Sequence, residues 1–164
     1  MNKVVLVCVS FLLAFTIAGC GKKTEPNEIV NVEKPQEMVI AEFDGNFATF
    51  TYPSTWKVTE EGSLVILEKE GTNMAVLLEI MNNPDGDPEL EIMSFAEQYG
   101  GTPAEVITYG NNTYHKTFFQ HGNVEQTMLI TKQGDNLVTI TMQGSGHAFN
   151  QNIIDTLNSI QFNF

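Results

Sequence analysis

The sequence predicts an α+β domain, an antiparallel sheet of about six to eight strands packed by two helices. Three observations carry that prediction. After Phe43 most of the chain consists of short β-type runs separated by Gly, Asn and Asp turns. Two stretches carry the helical period instead, one near Ile92 and one near Ile153. The run from Met74 to Met81 is apolar in both parities, so it belongs in the middle of a sheet with cover on both faces.

The elements follow in order. Phe47-Ala48-Thr49-Phe50-Thr51-Tyr52 is aromatic and β-branched and stops at Pro53, which cannot donate to a ladder. Trp56-Lys57-Val58-Thr59 resumes the extended chain. Glu61-Gly62-Ser63 turns into Leu64 to Glu68, and Glu70 to Asn73 turns into the central run. Asp87 suits a helix N-cap and Pro88 its first position. Ile92, Phe95, Ala96 and Tyr99 then share one helical face, and Gly100-Gly101 ends the helix. Ala104 to Tyr109, Thr113 to Gln120, Val124 to Thr131 and Leu137 to Met142 form a meander joined by tight polar turns. In the second helix Phe149, Ile153, Leu157 and Ile160 are expected to face inward, with Ser145 as the cap. Gln161 to Phe164 is a short extended tail.

The amino-terminal stretch is of a different kind. Lys3 precedes an almost wholly apolar Val4 to Ala18, the pattern of an export signal. About 15 apolar residues fall short of the roughly 20 that cross a bilayer core. Ile17-Ala18-Gly19-Cys20 resembles the lipobox of bacterial lipoprotein precursors. The resemblance implies cleavage between Gly19 and Cys20, and a diacylglycerol on the Cys20 sulfur, with or without an N-acyl chain on the new terminus. It further implies attachment to the extracytoplasmic face of the cell membrane. Residues 1–19 are then a signal peptide, 20–42 the lipidated Cys and a flexible acidic linker, and 43–164 the folded domain. The linker, with Pro26, Pro35 and five glutamates, resists folding alone. Stretched, it reaches roughly 70 Å, and as a coil about 25 Å. Ile29 to Val32 and Met38-Val39-Ile40 are the parts of it able to form a stray edge strand.

Composition narrows the function. Twenty carboxylates stand against eight lysines and no arginine, a net charge of −12. Nucleic acid is excluded as a partner, because phosphate contacts demand a basic surface. The same charge repels anionic headgroups, so membrane contact is expected through the lipid alone. Cys8 leaves with the leader and Cys20 is lipidated, which excludes a disulfide framework, thiolate-bound zinc or a Cys nucleophile.

Phe50-Thr51-Tyr52-Pro53-Ser54-Thr55-Trp56 resembles the opening motif of PsbP-like domains, and the later elements agree in order over Phe43 to Phe164. That resemblance implies an α/β/α sandwich and a role in binding and assembly without catalysis. It carries over no binding residue. Tyr52 and Trp56 are candidates for stacking a ligand, but plugging the core at a sheet edge is the simpler role.

The remaining constellations are weak. His115, His121 and His147 make a metal site only if the fold brings His147 beside the hairpin. Asn82, Asn83, Asp85, Asp87 and Glu89 gather oxygens of the kind calcium takes, yet Pro84 and Pro88 interrupt the spacing. Ser145 and His147 are close in sequence, whereas catalytic triads assemble through the fold. The expectation is therefore a non-enzymatic module, with no cofactor or metal, that binds a protein or envelope component. The alternative is a carrier of an apolar, lipid-like ligand, hinted at by Met74, Met81, Met93, Met128 and Met142 with Phe118 and Phe119.

Overall fold

A computed structural model describes residues 38–164. The expected export signal, Cys20 and the expected linker up to residue 37 lie outside the described residues. Among the described residues no helix is long and apolar enough to cross a membrane.

The strands are β1 (Ile40–Asp44), β2 (Ala48–Pro53), β3 (Trp56–Glu61), β4 (Leu64–Lys69) and β5 (Ala75–Asn82), then β6 (Glu105–Tyr109), β7 (Asn112–His121), β8 (Val124–Gln133), β9 (Asn136–Gln143) and β10 (Gln161–Phe162). Helix α1 (Pro88–Tyr99) follows β5, and α2 (Gln151–Ser159) follows β9 after a 3-10 turn at His147–Phe149. Seven strands form one antiparallel sheet in the order β3-β4-β5-β9-β8-β7-β6. The expected strands and both helices are all present. What the sequence reading lacks is the division into two sheets: β1, β2 and β10 make a small second one. Strand β1 begins inside the stretch expected to be linker, because Ile40 to Asp44 pairs along β2.

The Tyr-Pro…Trp motif is the corner between the sheets. Tyr52 and Pro53 end β2 in the small sheet, and Trp56 opens β3 at the edge of the large one. The Trp56 side chain is buried with Val65, Leu67, Val76, Phe47 and Phe50 in the core between the sheets. Ile153 and Leu157 of α2, both fully buried, close that core from the same side. Tyr114 of β7 also lies inside it, with an unpartnered hydroxyl that burial pushes well above the usual tyrosine pKa, although the nearby Asn112 side chain opposes the rise.

The opposite face of the large sheet carries α1, which packs on β7 and β8. Ile92 meets Ile130 and Leu137 there, and Phe95 and Tyr99 stack together beside Phe119. Helix α1 does not extend its cover over β5. On that side Leu77 is half-buried and Met81 half-exposed. The cover expected on both faces of the central run is thus complete on one face only, among the described residues.

Two expectations about α2 are overturned. Asn150, not Ser145, caps the helix, its side chain accepting from the Ile153 N–H. Phe149 points outward and is 90% exposed. The reason is the 3-10 turn, which advances about 120° per residue and turns His147 into the core. Two residues later Phe149 faces away.

Candidate functional site

The groove beside α1 is built by local rules. Asp87 caps the helix, its carboxylate accepting from the N–H groups of Glu89 (2.9 Å) and Leu90 (3.3 Å), with Pro88 in the first turn. Gly100 stops it at φ 67°, a left-handed conformation that suits glycine. The return segment is then clamped on β7. The Thr102 N–H donates to the Phe118 carbonyl (2.7 Å), Thr117 Oγ1 donates to the Thr102 carbonyl (2.8 Å), and the Phe118 N–H donates to Thr102 Oγ1 (3.0 Å).

This clamp makes Pro103 and Ala104 run beside the helix and leaves an open groove of about 570 Å³ between them. Glu89, Met93 and Glu97 form the helix wall, with Ala96 deeper in. Met93 is 52% exposed and Leu90, on the same flank three residues earlier, 64%. The carboxylates Glu89 and Glu97 therefore flank an apolar surface.

The sequence candidates are placed elsewhere. Trp56 is in the core, only 5% exposed. Tyr52 is half-buried and borders a recess of about 20 Å³ with Met38, Ile40 and Thr156, room for about one water. Neither side chain offers a broad open ring face. A polar depression of about 260 Å³ lies where β2, the β6–β7 turn and α2 meet. Two of its side chains are already engaged, Ser159 Oγ accepting from the Thr51 N–H and Asn158 Oδ1 from the Gly110 N–H.

The three histidines do not meet. His115 and His121 share the α1 face of β7, and His121 lies edge-on to Tyr99. His147 is on the other face, where it is buried, stacked beside Phe118 and 2.7 Å from Thr127 Oγ1. His147 opens the 3-10 turn but is buried, not on the surface. Its Nδ1 lies 2.7 Å from the Gly144 carbonyl, an acceptor only, so Nδ1 carries a hydrogen and donates to it; when Nε2 carries none, it accepts from Thr127. With both nitrogens engaged, His147 is no base for the exposed Ser145. Gly144 itself needs to be glycine: at φ 106°, a Cβ would come within 2.8 Å of the Met74 Cα.

The calcium candidate loop is held by a lysine. Lys132 Nζ donates to the carbonyls of Pro84 and Gly86, the latter at 2.9 Å. An ammonium group thus serves the carbonyl oxygens that a cation would need, and Asp87 is spent on the helix cap. Among the described residues no three His, Cys, Asp or Glu side chains gather as a metal site would require. The methionines do not converge on one cavity either. Met142 and Met74 belong to the core between the sheets, Met128 lies under α1, and Met81 and Met93 are exposed.

The backbone has counterparts among solved structures. The solution structure of the PsbP protein of the cyanobacterium Synechocystis superposes with a TM-score of 0.54 at 11% identity, covering 76% of this chain and 92% of that one. The fold is that of cyanobacterial PsbP. A crystal structure from Bacteroides thetaiotaomicron gives 0.52 at 14% identity over 71% of this chain, which spans 45% of that protein. LpqN, involved in cell envelope biogenesis of Mycobacterium tuberculosis, gives 0.41 at 12% identity over 78% of this chain and 92% of its own. No family model matches the chain, and no curated protein does.

The motif at Phe50 to Trp56 signals this fold correctly, but sequence reasoning misses the groove. In the sequence Met93 is one of several methionines that hint at an apolar-ligand carrier and Leu90 has no assigned role; only the docking of α1 and the Thr102 clamp put Met93 on an open wall, with Leu90 exposed one turn earlier.

Proposed function

We propose that this chain is a lipid-anchored, extracytoplasmic binding or assembly module that works without catalysis. The observation that carries the reading is a packed core between the two sheets together with an open, partly apolar groove along α1 on the other face of the large sheet. Solid packing suits a module that presents a surface, whereas a carrier needs an enclosed cavity. The lipobox-like Ile17-Ala18-Gly19-Cys20 supports the anchor, and a diacylglyceryl Cys20 holds a protein to a bilayer where one acyl chain would not. The linker supplies reach away from the membrane. The PsbP fold alone supplies no function.

Two measurements test this. Cys20→Ala is expected to move the protein from the membrane pellet to the soluble fraction; retention in the pellet would refute anchoring through Cys20. Native mass spectrometry of the protein purified from its own envelope is expected to show the polypeptide with its covalent lipid and nothing more. A further retained mass of lipid size would replace the module with a carrier.

A further inference from the structure

We propose that the α1 groove receives a basic polypeptide segment that inserts apolar side chains against Met93 and Leu90 and sets Lys or Arg against Glu89 and Glu97. This rests on the binding-module reading and names the surface and the chemistry of the partner.

Helix α1 has more apolar surface than its own domain buries. Ile92, Phe95, Ala96 and Tyr99 face the sheet, while Leu90 and Met93 remain 64% and 52% exposed on the groove flank. Beyond the groove, the edge strand also exposes an apolar side chain. Val106 of β6 pairs with His115, whose other neighbour Ile130 packs under α1, so Val106 faces the same side of the sheet. It is 64% exposed, and β6 is an edge strand of the large sheet. Met93 and Ala104 line the groove, while Leu90 on the helix and Val106 on β6 add exposed apolar surface near it, and exposed apolar surface of this kind marks an interaction site.

Charge selects the occupant. Residues 38–164 carry sixteen carboxylates and four lysines. Of those lysines, Lys116 pairs with Glu105 and Lys132 is committed to the Pro84 and Gly86 carbonyls. Lys57 and Lys69 lie on β3 and β4, at the opposite edge of the sheet from β6. Helix α1 has no basic residue, and Glu89 and Glu97 line the groove with no lysine in its wall among the described residues. A second copy would bring the same excess of negative charge, and anionic headgroups would be repelled likewise. A cationic segment gains on encounter, and its apolar side chains gain on burial.

The test uses the full lipidated chain in the cells that make it. A photo-crosslinking amino acid is placed at Met93 and, as a remote control, at the exposed Phe149. The adducts are digested and the attached peptides sequenced by mass spectrometry. Peptides bearing Lys or Arg beside apolar residues are expected at Met93. Their yield should fall by about fivefold or more in a Glu89→Gln/Glu97→Gln variant, and fall with added salt. Both substitutions keep side-chain shape at exposed positions, and an unchanged circular dichroism melt confirms the fold. Acidic peptides, lipid or this same chain at Met93, or basic adducts indifferent to the Gln pair, would overturn the proposal. Adducts confined to Phe149 would overturn the groove while leaving a binding module elsewhere on the domain. Silence at both positions would sink the groove and count against the module itself.

Discussion

Replacing Trp56 by alanine is expected to cost about 3–5 kcal/mol of folding free energy. That is a large share of the roughly 5–15 kcal/mol available to a domain. The indole sits in the core between the sheets at the residue where the chain enters the large sheet. Its removal takes away the apolar area and leaves a cavity lined by strands that cannot easily close in, since β3 is held to β4 over six residue pairs. Trp56→Phe keeps most of the apolar volume and should lose much less. The check is a urea unfolding series, in which the midpoint falls while the slope stays constant. A loss below about 1 kcal/mol for Trp56→Ala, well under the usual cost of such a truncation, would mean that the indole does not bridge the layers. It would also reopen a ligand-stacking role for it.

The same residue shows what the sequence could reveal. Strands β2 to β9 were legible because each is a short β-type run bounded by turn residues, and both signals are local. The ends of α1 were legible for the same reason, since Asp87, Pro88 and Gly100 act within a few residues of themselves. The motif through Tyr52, Pro53 and Trp56 is structural: Pro53 ends β2 in one sheet and, across the two-residue turn Ser54-Thr55, Trp56 opens β3 in the other. The division into two sheets was not legible, because nothing in β1 or β10 distinguishes pairing with β2 from pairing elsewhere.

The groove was hidden for a related reason. A helical wheel places Met93 and Leu90 off the main apolar face, but whether they meet a neighbouring element depends on where the helix docks. Helix α1 lies on β7 and β8, and Thr102 pins the returning chain to β7. That leaves one flank walled by Pro103 and Ala104 but unfilled. Phe149 fits the helical period of Ile153 and Leu157 but lies in the 3-10 turn before α2 begins. Period alone cannot tell an α-turn from the 3-10 turn that puts His147 inside.

His147 supplies the second large effect. His147→Phe keeps a planar ring beside Phe118 but removes both ring nitrogens, and about 2–4 kcal/mol of stability should be lost. The two partners contribute unequally. The Gly144 carbonyl also accepts from the His147 backbone N–H (3.2 Å), so it keeps one bond. Thr127 Oγ1, only 2% exposed as a residue, loses its partner and stays dry. Most of the loss should therefore come from that hydroxyl. Thr127→Val removes the group left stranded, so the double variant is expected to be more stable than His147→Phe alone, by about 1–2 kcal/mol. Urea midpoints of the four proteins in the cycle decide it. Additive losses would mean that Thr127 and His147 are not bonded, and that the turn after β9 is held by packing of the ring alone. Recovery in the double variant would show that a buried polar pair joins β8 to the loop leading into α2.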